Sequence, residues 1–382
     1  MERKSNILNG TININQEYII GKVIKNGNVD NKEQYIQVLN KENMNIFENG
    51  YKAYIFENDS YPKSIDNYCY NVKDIDSLCN FDVIEIINNK NIRVLYRDDS
   101  EDNYILVTNQ CNSNCIMCPD ADSVRNTKDI PNINVIIDHI RAIPNDTGHI
   151  TITGGEPGLL RDNLIQIIRE CKINLPDTDF LLLSNGRVFS NTEFVNKFKA
   201  VAPKNIRVGI PLYADKSELH DNITRAPNSF VQAVCGIKKL LNRGIDVEIR
   251  IVVQKLNYKI LDKIAKFICE EIPNVTMVNI MSLEMCGNAI INKDIIWVDY
   301  EDTKEYVYKA CVELIRNGIM VNLYNFPLCA LDERVYAFAL KSISDYKVRY
   351  RDECNSCALM KECGGLFNST INLKEAIVKP IK

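Results

Sequence analysis

Three cysteines constrain this 382-residue chain more than any other feature of its sequence. Cys111, Cys115 and Cys118 form the run C-N-S-N-C-I-M-C, a C-x3-C-x2-C pattern. Three thiolates at this spacing can hold three corners of a 4Fe–4S cluster and leave the fourth iron without a protein ligand. An iron with an open coordination position can bind a reactant, so the spacing favours catalysis over electron transfer alone.

A zinc site is one alternative for these three cysteines, and buried structural thiols are another. Structural zinc usually takes four ligands from two cysteine pairs. This loop supplies three cysteines, with no adjacent fourth ligand or histidine. Both alternatives stay open on the sequence alone.

Composition excludes several classes of protein. The chain has 46 Lys and Arg against 50 Asp and Glu, for a net charge of −4, so the strong basic patch of a nucleic-acid-binding protein is not expected. No uncharged apolar run reaches the ~18 residues of a membrane span, and the N-terminus lacks an apolar signal core. We therefore expect a cytoplasmic protein, in which 14 cysteines indicate metal binding and buried thiols and not disulfides.

The hydrophobic pattern divides the chain into three predicted domains. Residues 1–100 show short alternating runs separated by turns such as Asn26-Gly27, which predicts a small β-rich domain. Residues 101–326 alternate strand-like and helix-like segments, which predicts a parallel α/β sheet curled into a partial (βα)6 TIM-like barrel. Residues 327–382 form a cysteine-rich extension. The predicted barrel strands are Tyr104–Asn109, His149–Gly154, Asp179–Asn185, Ile206–Tyr213, Ile245–Gln254 and Thr276–Glu284.

The cysteine run follows the first of these strands, where barrel enzymes place their chemistry. In this position it resembles the hallmark of the radical S-adenosylmethionine (SAM) superfamily. Further stretches fit that resemblance, which implies that they contact SAM. They are Gly154-Gly155-Glu156-Pro157 after the second strand, Ser184-Asn185 after the third, Arg225 after the fourth, and Met117 where the family often has an aromatic residue.

The resemblance also implies roles for these residues and for the partners. The glycine turn would meet the methionyl amino group of SAM with Glu156 supplying negative charge, Ser184 and Asn185 would contact its ribose or carboxylate, and Arg225 would pair with its carboxylate. SAM bound to the first cluster would be cleaved by one electron from a flavodoxin or ferredoxin. The resulting 5′-deoxyadenosyl radical would take a hydrogen atom from the substrate.

A second cysteine set lies in the C-terminal extension. Cys329, Cys354, Cys357 and Cys363 could close a zinc tetrahedron, and this alternative is more serious than for the first set. Followed by two glycines, the set resembles the SPASM or twitch extension of radical SAM enzymes. A full SPASM domain has another cysteine where this chain has Phe367, so we predict one auxiliary 4Fe–4S cluster, ligated by four cysteines.

Several stretches together resemble one subfamily, the His-Xaa-Ser system radical SAM maturase HxsC. The resemblance implies that this oxidoreductase acts on a ribosomally made precursor peptide, with a second radical SAM maturase as a candidate partner. Small-molecule or cofactor biosynthesis and a non-catalytic zinc-binding interaction module are the alternatives. Tyr213, His220, Glu284 and Cys286 are each candidates for the group that quenches a substrate radical. The stretches are 94–97, 103–108, 115–118, 324–329, 341–346 and 354–365.

Overall fold

The computed structural model describes residues 6–120, 132–342 and 347–382. Its strands form two eight-stranded sheets and a two-stranded ribbon. One predicted feature, residues 343–346 of the subfamily stretch 341–346, lies outside the described residues. Within the described residues, no helix combines the length and the apolar character that crossing a bilayer requires.

The N-terminal part is β-rich, as the alternating pattern predicts. Its sheet has the order β1-β8-β7-β3-β4-β5-β6-β2, with β3 to β6 parallel to one another and the remaining pairs antiparallel. The strands are β1 (Ile7–Leu8), β2 (Thr11–Asn13), β3 (Tyr18–Ile24), β4 (Tyr35–Leu39), β5 (Ala53–Phe56), β6 (Tyr68–Tyr70), β7 (Val83–Ile87) and β8 (Ile92–Tyr96).

The second sheet is parallel throughout and confirms the α/β barrel architecture. All six predicted strands are present, each within a few residues of its predicted ends, and their order in the sheet follows the chain. Two further strands extend it beyond the predicted six. The strands are β9 (Tyr104–Thr108), β10 (His149–Gly154), β11 (Asp179–Leu183), β12 (Ile206–Pro211), β13 (Asp246–Val252), β14 (Met277–Met281), β15 (Met320–Tyr324) and β16 (Ala339–Leu340).

Amphipathic helices cover the outer face of this sheet. In the first, Asn132 caps the N-terminus by accepting a bond from the Asn134 amide at 3.1 Å, and Ile136 and Ile140 are buried against the strands. The helices are α1 (Ile133–Ala142), α2 (Asp162–Asn174), α3 (Thr192–Val201), α4 (Ser217–Thr224), α5 (Ser229–Leu241), α6 (Leu261–Glu271), α7 (Asn288–Ile291), α8 (Lys293–Ile296) and α9 (Tyr300–Arg316).

The core lies between the sheet and these helices. The outward side chains of neighbouring strands, including Ile152, Leu182, Val208 and Ile249, are fully buried. Each contributes about 1.5–3 kcal/mol relative to an exposed position, so this layer fixes the register of the strands. Because strand side chains alternate, the same register fixes which residues face the barrel interior.

The N-terminal sheet packs directly on the barrel. The Tyr96 hydroxyl lies 2.9 Å from the Thr147 hydroxyl, and Tyr18 donates to the Asp138 carboxylate at 2.9 Å. Ile20 and Val83 belong to the same apolar cluster as the barrel core. The two parts therefore share a core, and the predicted boundary near residue 100 remains a prediction.

The C-terminal extension is built around a short ribbon. In it, β17 (Val348–Arg349) pairs antiparallel with β18 (Leu366–Phe367), so that Val348 lies opposite Phe367. Short 3₁₀ turns make up much of the rest, including residues Leu328–Ala330 and Asp352–Ser356. The ribbon lies between the barrel mouth and a second group of cysteines.

Candidate active site

A cavity of about 360 Å³ opens at the carboxyl ends of the barrel strands. The loop after β9 contributes its three cysteines to the wall, and the next two strand ends contribute the residues that sequence analysis placed beside them. The predicted site residues that line it are Cys111, Cys115, Met117, Cys118, Gly154, Gly155, Ser184 and Asn185. Residues separated by more than 70 positions along the chain thus meet at one place.

The two glycines of the turn after β10 press against the start of the cysteine loop. A side chain at Gly154 would lie 2.3 Å from the Thr108 carbonyl oxygen, and one at Gly155 would lie 2.4 Å from the Gln110 carbonyl oxygen. The Gly155 amide donates to Thr108 at 2.8 Å. Only glycine permits this approach, so the turn holds the backbone that enters the cysteine loop as well as lining the cavity.

Glu156 turns inward from the same loop and is almost completely buried. One carboxylate oxygen accepts from the Gly158 amide and the Ser184 hydroxyl, each at 2.7 Å, and the other accepts from the Asn185 amide at 2.6 Å. Burial raises the pKa of this carboxyl, and these three donors oppose the rise. Glu156 is not among the residues that line the cavity. The structure therefore makes it a link between two loops, next to Pro157 at the start of a 3₁₀ turn.

Two arginines near the site differ in what they contact. Neither arginine lines the cavity. The guanidinium of Arg225, which the sequence predicts to bind SAM, donates to Asn292 at 3.1 Å. Arg187 donates to the backbone carbonyl of Asn112 at 2.8 Å, inside the cysteine loop. Arg187 was not among the predicted site residues, although it lies directly after the polar end of the third strand.

A segment after β14 holds the cysteine loop from the other side. The Asn288 amide donates to the Cys118 carbonyl at 2.9 Å, and the Asn292 side chain donates to the Ile116 carbonyl at 2.8 Å. Gly287 has φ of +52°, and a side chain there would lie 2.2 Å from the Pro119 carbonyl oxygen. These contacts join residues about 170 positions apart, so no local sequence signal predicts them.

The four candidate quenching groups occupy different environments. Tyr213 and Glu284 line the cavity, whereas His220 and Cys286 do not. Burial lowers the pKa of His220 to about 4, and its neutral Nδ1 accepts from the Tyr213 amide at 3.2 Å. Burial, followed by the Glu284 carboxylate, raises the pKa of Cys286 to about 11.

Charged groups in the cavity wall are paired with one another. Arg250 lies 2.5 Å from the Glu248 carboxylate beneath the cavity, and Lys347 of the C-terminal extension lies 3.4 Å from Glu284. The second pair connects the extension to the barrel across the mouth. Both pairs reduce the net charge presented to a bound molecule.

The second cysteine set also converges. Cys329, Cys354, Cys357 and Cys363 line one small cavity of about 20 Å³ in the C-terminal extension. Backbone amides donate to three of the four sulfurs. The Leu328 amide donates to the Cys363 sulfur at 3.3 Å. The Lys379 amide donates to the Cys329 sulfur and the Ile381 amide to the Cys357 sulfur, each at 3.4 Å. Amide donors of this kind stabilise the negative charge of metal-bound thiolates.

Four thiols of this kind could ligate either an iron–sulfur cluster or a single zinc ion, and the two differ in the spacing they require. Zinc with sulfur ligands at about 2.3 Å holds those sulfurs about 3.8 Å apart. In the described parts of the chain, the one group of three possible ligand atoms within 4.8 Å of one another is Cys79, Asp82 and Asp99, where Asp82 already pairs with Arg97. A four-iron cluster spreads its thiolates further because each binds a different iron. The four thiols could thus each bind one iron of the predicted auxiliary cluster, which stays a prediction.

Residues 105–268, which make up less than half of the chain, match the model of the radical SAM superfamily.

Among curated proteins, a "Probable GTP 3',8-cyclase" of Sulfurisphaera tokodaii is 28% identical over 176 residues, which cover 44% of this chain and 52% of that protein. One of Saccharolobus islandicus is 27% identical over 169 residues, with the same coverage. The chain thus spans about half the length of these curated relatives. Among solved structures, Streptococcus suis SuiB bound to precursor peptide SuiA is similar with a TM-score of 0.48 and 15% identity, covering 59% of this chain and 48% of SuiB.

Proposed function

We propose that this protein is a radical SAM enzyme that modifies a ribosomally made precursor peptide, beginning with hydrogen abstraction at an unactivated C–H bond. The observation that carries the proposal is the meeting of three loop cysteines and the glycine turn at one cavity within a matched radical SAM domain. When bound, the 4Fe–4S cluster and SAM supply one-electron cleavage of the sulfonium and a 5′-deoxyadenosyl radical.

The residues of the cavity supply binding, orientation and exclusion of water. Cys111, Cys115 and Cys118 would hold the cluster, and the glycine turn leaves backbone groups accessible to SAM. Met117 offers an apolar, polarisable surface on which the adenine can pack. Apolar walls also keep competing hydrogen-atom donors away from the reaction.

For the carboxylate of SAM we favour Arg187 over Arg225. Neither guanidinium lines the cavity, but that of Arg187, which also donates to Gln232, contacts the cysteine loop at the Asn112 carbonyl, whereas that of Arg225 donates to Asn292. Ser184 and Asn185 remain candidates for polar contacts with SAM, since both line the cavity. Glu156 would act through Ser184 and Asn185, which it positions.

The four cysteines of the extension would hold the auxiliary 4Fe–4S cluster of a SPASM-like or twitch-like domain. Because the protein would ligate every iron, this centre suits electron transfer or structural support. A flavodoxin or ferredoxin would supply electrons, and a second radical SAM maturase would act on the same peptide.

The peptide assignment rests on the subfamily stretches in the sequence. A second candidate, small-molecule or cofactor biosynthesis, is favoured by the cyclase names of the curated relatives. Both candidates use the same cluster and cavity, and they differ in the substrate.

Metal analysis and SAM cleavage test the shared chemistry. Anaerobically reconstituted protein should carry about eight irons per chain and little zinc. It should form 5′-deoxyadenosine from SAM with dithionite. Cys115→Ala should abolish this product and Cys235→Ala, on α5, should not. Zinc without iron, or SAM cleavage that survives Cys115→Ala, would contradict the proposal.

Co-expression with candidate precursor peptides separates the two substrates. A peptide substrate should lose about two hydrogens in mass if one crosslink forms, and Cys357→Ala should reduce this product more than it reduces SAM cleavage. Nucleoside triphosphates should give no SAM-dependent product. A new product from GTP, with no peptide changed, would favour the second candidate.

A further inference from the structure

The ribbon strand β18 separates the two cavities of this protein. Its two residues lie side by side in the chain, yet Leu366 lines the four-cysteine cavity and Phe367 lines the barrel cavity. Successive side chains of a strand point to opposite faces, so one short strand presents a wall to each site. Both side chains are buried.

We propose that Phe367 is a specificity-determining residue for the substrate and that the four-cysteine site fixes its position. This inference rests on the proposed function. Phe367 would contact an apolar part of the substrate, since Met281 and Leu283 line the same cavity.

The backbone around Phe367 is tied to both sites. Pairing with Val348 sets its register, and the Asn368 amide donates to the Lys347 carbonyl at 2.7 Å. Lys347 in turn reaches Glu284 in the cavity wall. These contacts place the Phe367 ring against the barrel mouth, whichever substrate is present.

Phe367 is connected to the four-cysteine site by a short stretch of chain, since it lies four positions after Cys363. Cys363 accepts from the Gly365 amide at 3.4 Å, and its carbonyl accepts from the Tyr350 hydroxyl at 2.8 Å. Gly365 has φ of +63°, a turn that leads straight into β18. Metal at the four cysteines would therefore hold the strand that carries Phe367, and its loss would release the cavity wall.

A fluorescent side chain at position 367 tests this coupling without turnover. The chain has a single tryptophan, Trp297, so Trp297→Phe with Phe367→Trp gives one reporter in the cavity wall. In iron-loaded protein, the emission maximum of the tryptophan at position 367 should be that of a buried side chain, and it should shift when SAM is added. It should move to longer wavelength when Cys354→Ser and Cys357→Ser remove the second metal site. Val231→Trp in the same background is the control, because Val231 is exposed on α5 and should respond to neither change.

Substrate processing tests the specificity role. With a precursor peptide that wild-type protein modifies, Phe367→Ala should lower product per 5′-deoxyadenosine by up to about a hundredfold, and Phe367→Leu should restore part of it. Iron content should not change. Met320→Ala, at an exposed site on β15, should match the wild type.

These results distinguish the inference from the proposed function. A reporter that ignores loss of the C-terminal metal would overturn the coupling, and unchanged product yield in Phe367→Ala would overturn the specificity role. Wild-type protein that never cleaves SAM would instead refute the proposed function. The fluorescence experiment would still test the coupling between the four-cysteine site and Phe367, because it does not require turnover.

Discussion

The Glu156 carboxylate accepts a hydrogen bond from the Ser184 hydroxyl at 2.7 Å, across two neighbouring loops of the barrel mouth. The pair joins the end of β10 to the end of β11 below the cavity. Because the carboxylate also accepts two backbone amides, it fixes both loops at once.

Glu156→Gln should therefore weaken both folding and SAM binding. The amide keeps the size of the side chain but turns an NH2 group toward backbone donors, leaving at least one buried donor unpaired. We expect a loss of about 1–3 kcal/mol in the free energy of unfolding and a raised Kd for SAM. Thermal unfolding and SAM titration measure these effects. Glu193→Gln, at an exposed position on α3, is the control; equal losses in both variants would contradict this role.

Gly287→Ala should reduce iron loading at the three-cysteine loop. Alanine would require both a positive φ and space that the Pro119 carbonyl occupies. Gly318 also has positive φ, of +75°, but nothing lies within 4 Å of the added carbon. Gly318→Ala should therefore show only the backbone strain, about 1 kcal/mol. Iron content and the SAM-sensitive EPR signal compare the two variants, and the prediction fails if they lose iron equally.

Acid should destabilise the protein through His139. Burial lowers its pKa from 6.5 to about 4, and its Nε2 atom has no hydrogen-bond partner among the described residues. The unfolded chain thus binds the proton first, so this contribution is complete above pH 6.5 and is lost as the pH falls toward 4. The loss from this group is about 3 kcal/mol.

Denaturant unfolding between pH 4 and pH 7.5 measures this loss. His139→Leu should flatten the pH dependence of the free energy of unfolding. His149→Gln, at a half-buried position, should leave most of that pH dependence in place. If the unfolding free energy of His139→Leu changed with pH as steeply as that of the wild type, the loss of stability in acid would come from other groups.

The C-terminal tail should tune the reduction potential of the proposed auxiliary cluster. Ile381→Pro removes the amide that donates to the Cys357 sulfur, and a lost donor makes a reduced cluster harder to form. We expect a reduction potential more negative by about 40 mV, the equivalent of one hydrogen bond of about 1 kcal/mol. EPR-monitored redox titration measures it. Lys382→Pro, one residue further on, should leave the potential unchanged, and a shift of equal size there would point to disruption of the tail.

Much of the barrel was predictable because its signals are local. Buried parallel strands produce apolar runs, and the cysteine spacing lies within eight residues of chain. The strand β16 escaped prediction because two residues give too little periodicity, whereas β15 was missed although it is as long as β9, β11 and β14. The contacts of Glu156 were not predictable for another reason: the sequence shows a charge beside two glycines, and only packing shows that this charge turns inward to Ser184 and Asn185.

The sequence by itself determined the chemistry available to this protein. Cysteine spacing sets which clusters can bind, and alternation sets a parallel barrel that carries them, because both depend on neighbours in the chain. Tertiary structure alone decided which residues meet. It places Gly287 against the cysteine loop, Arg187 on Asn112 and Phe367 in the cavity wall, since such contacts depend on how distant segments pack.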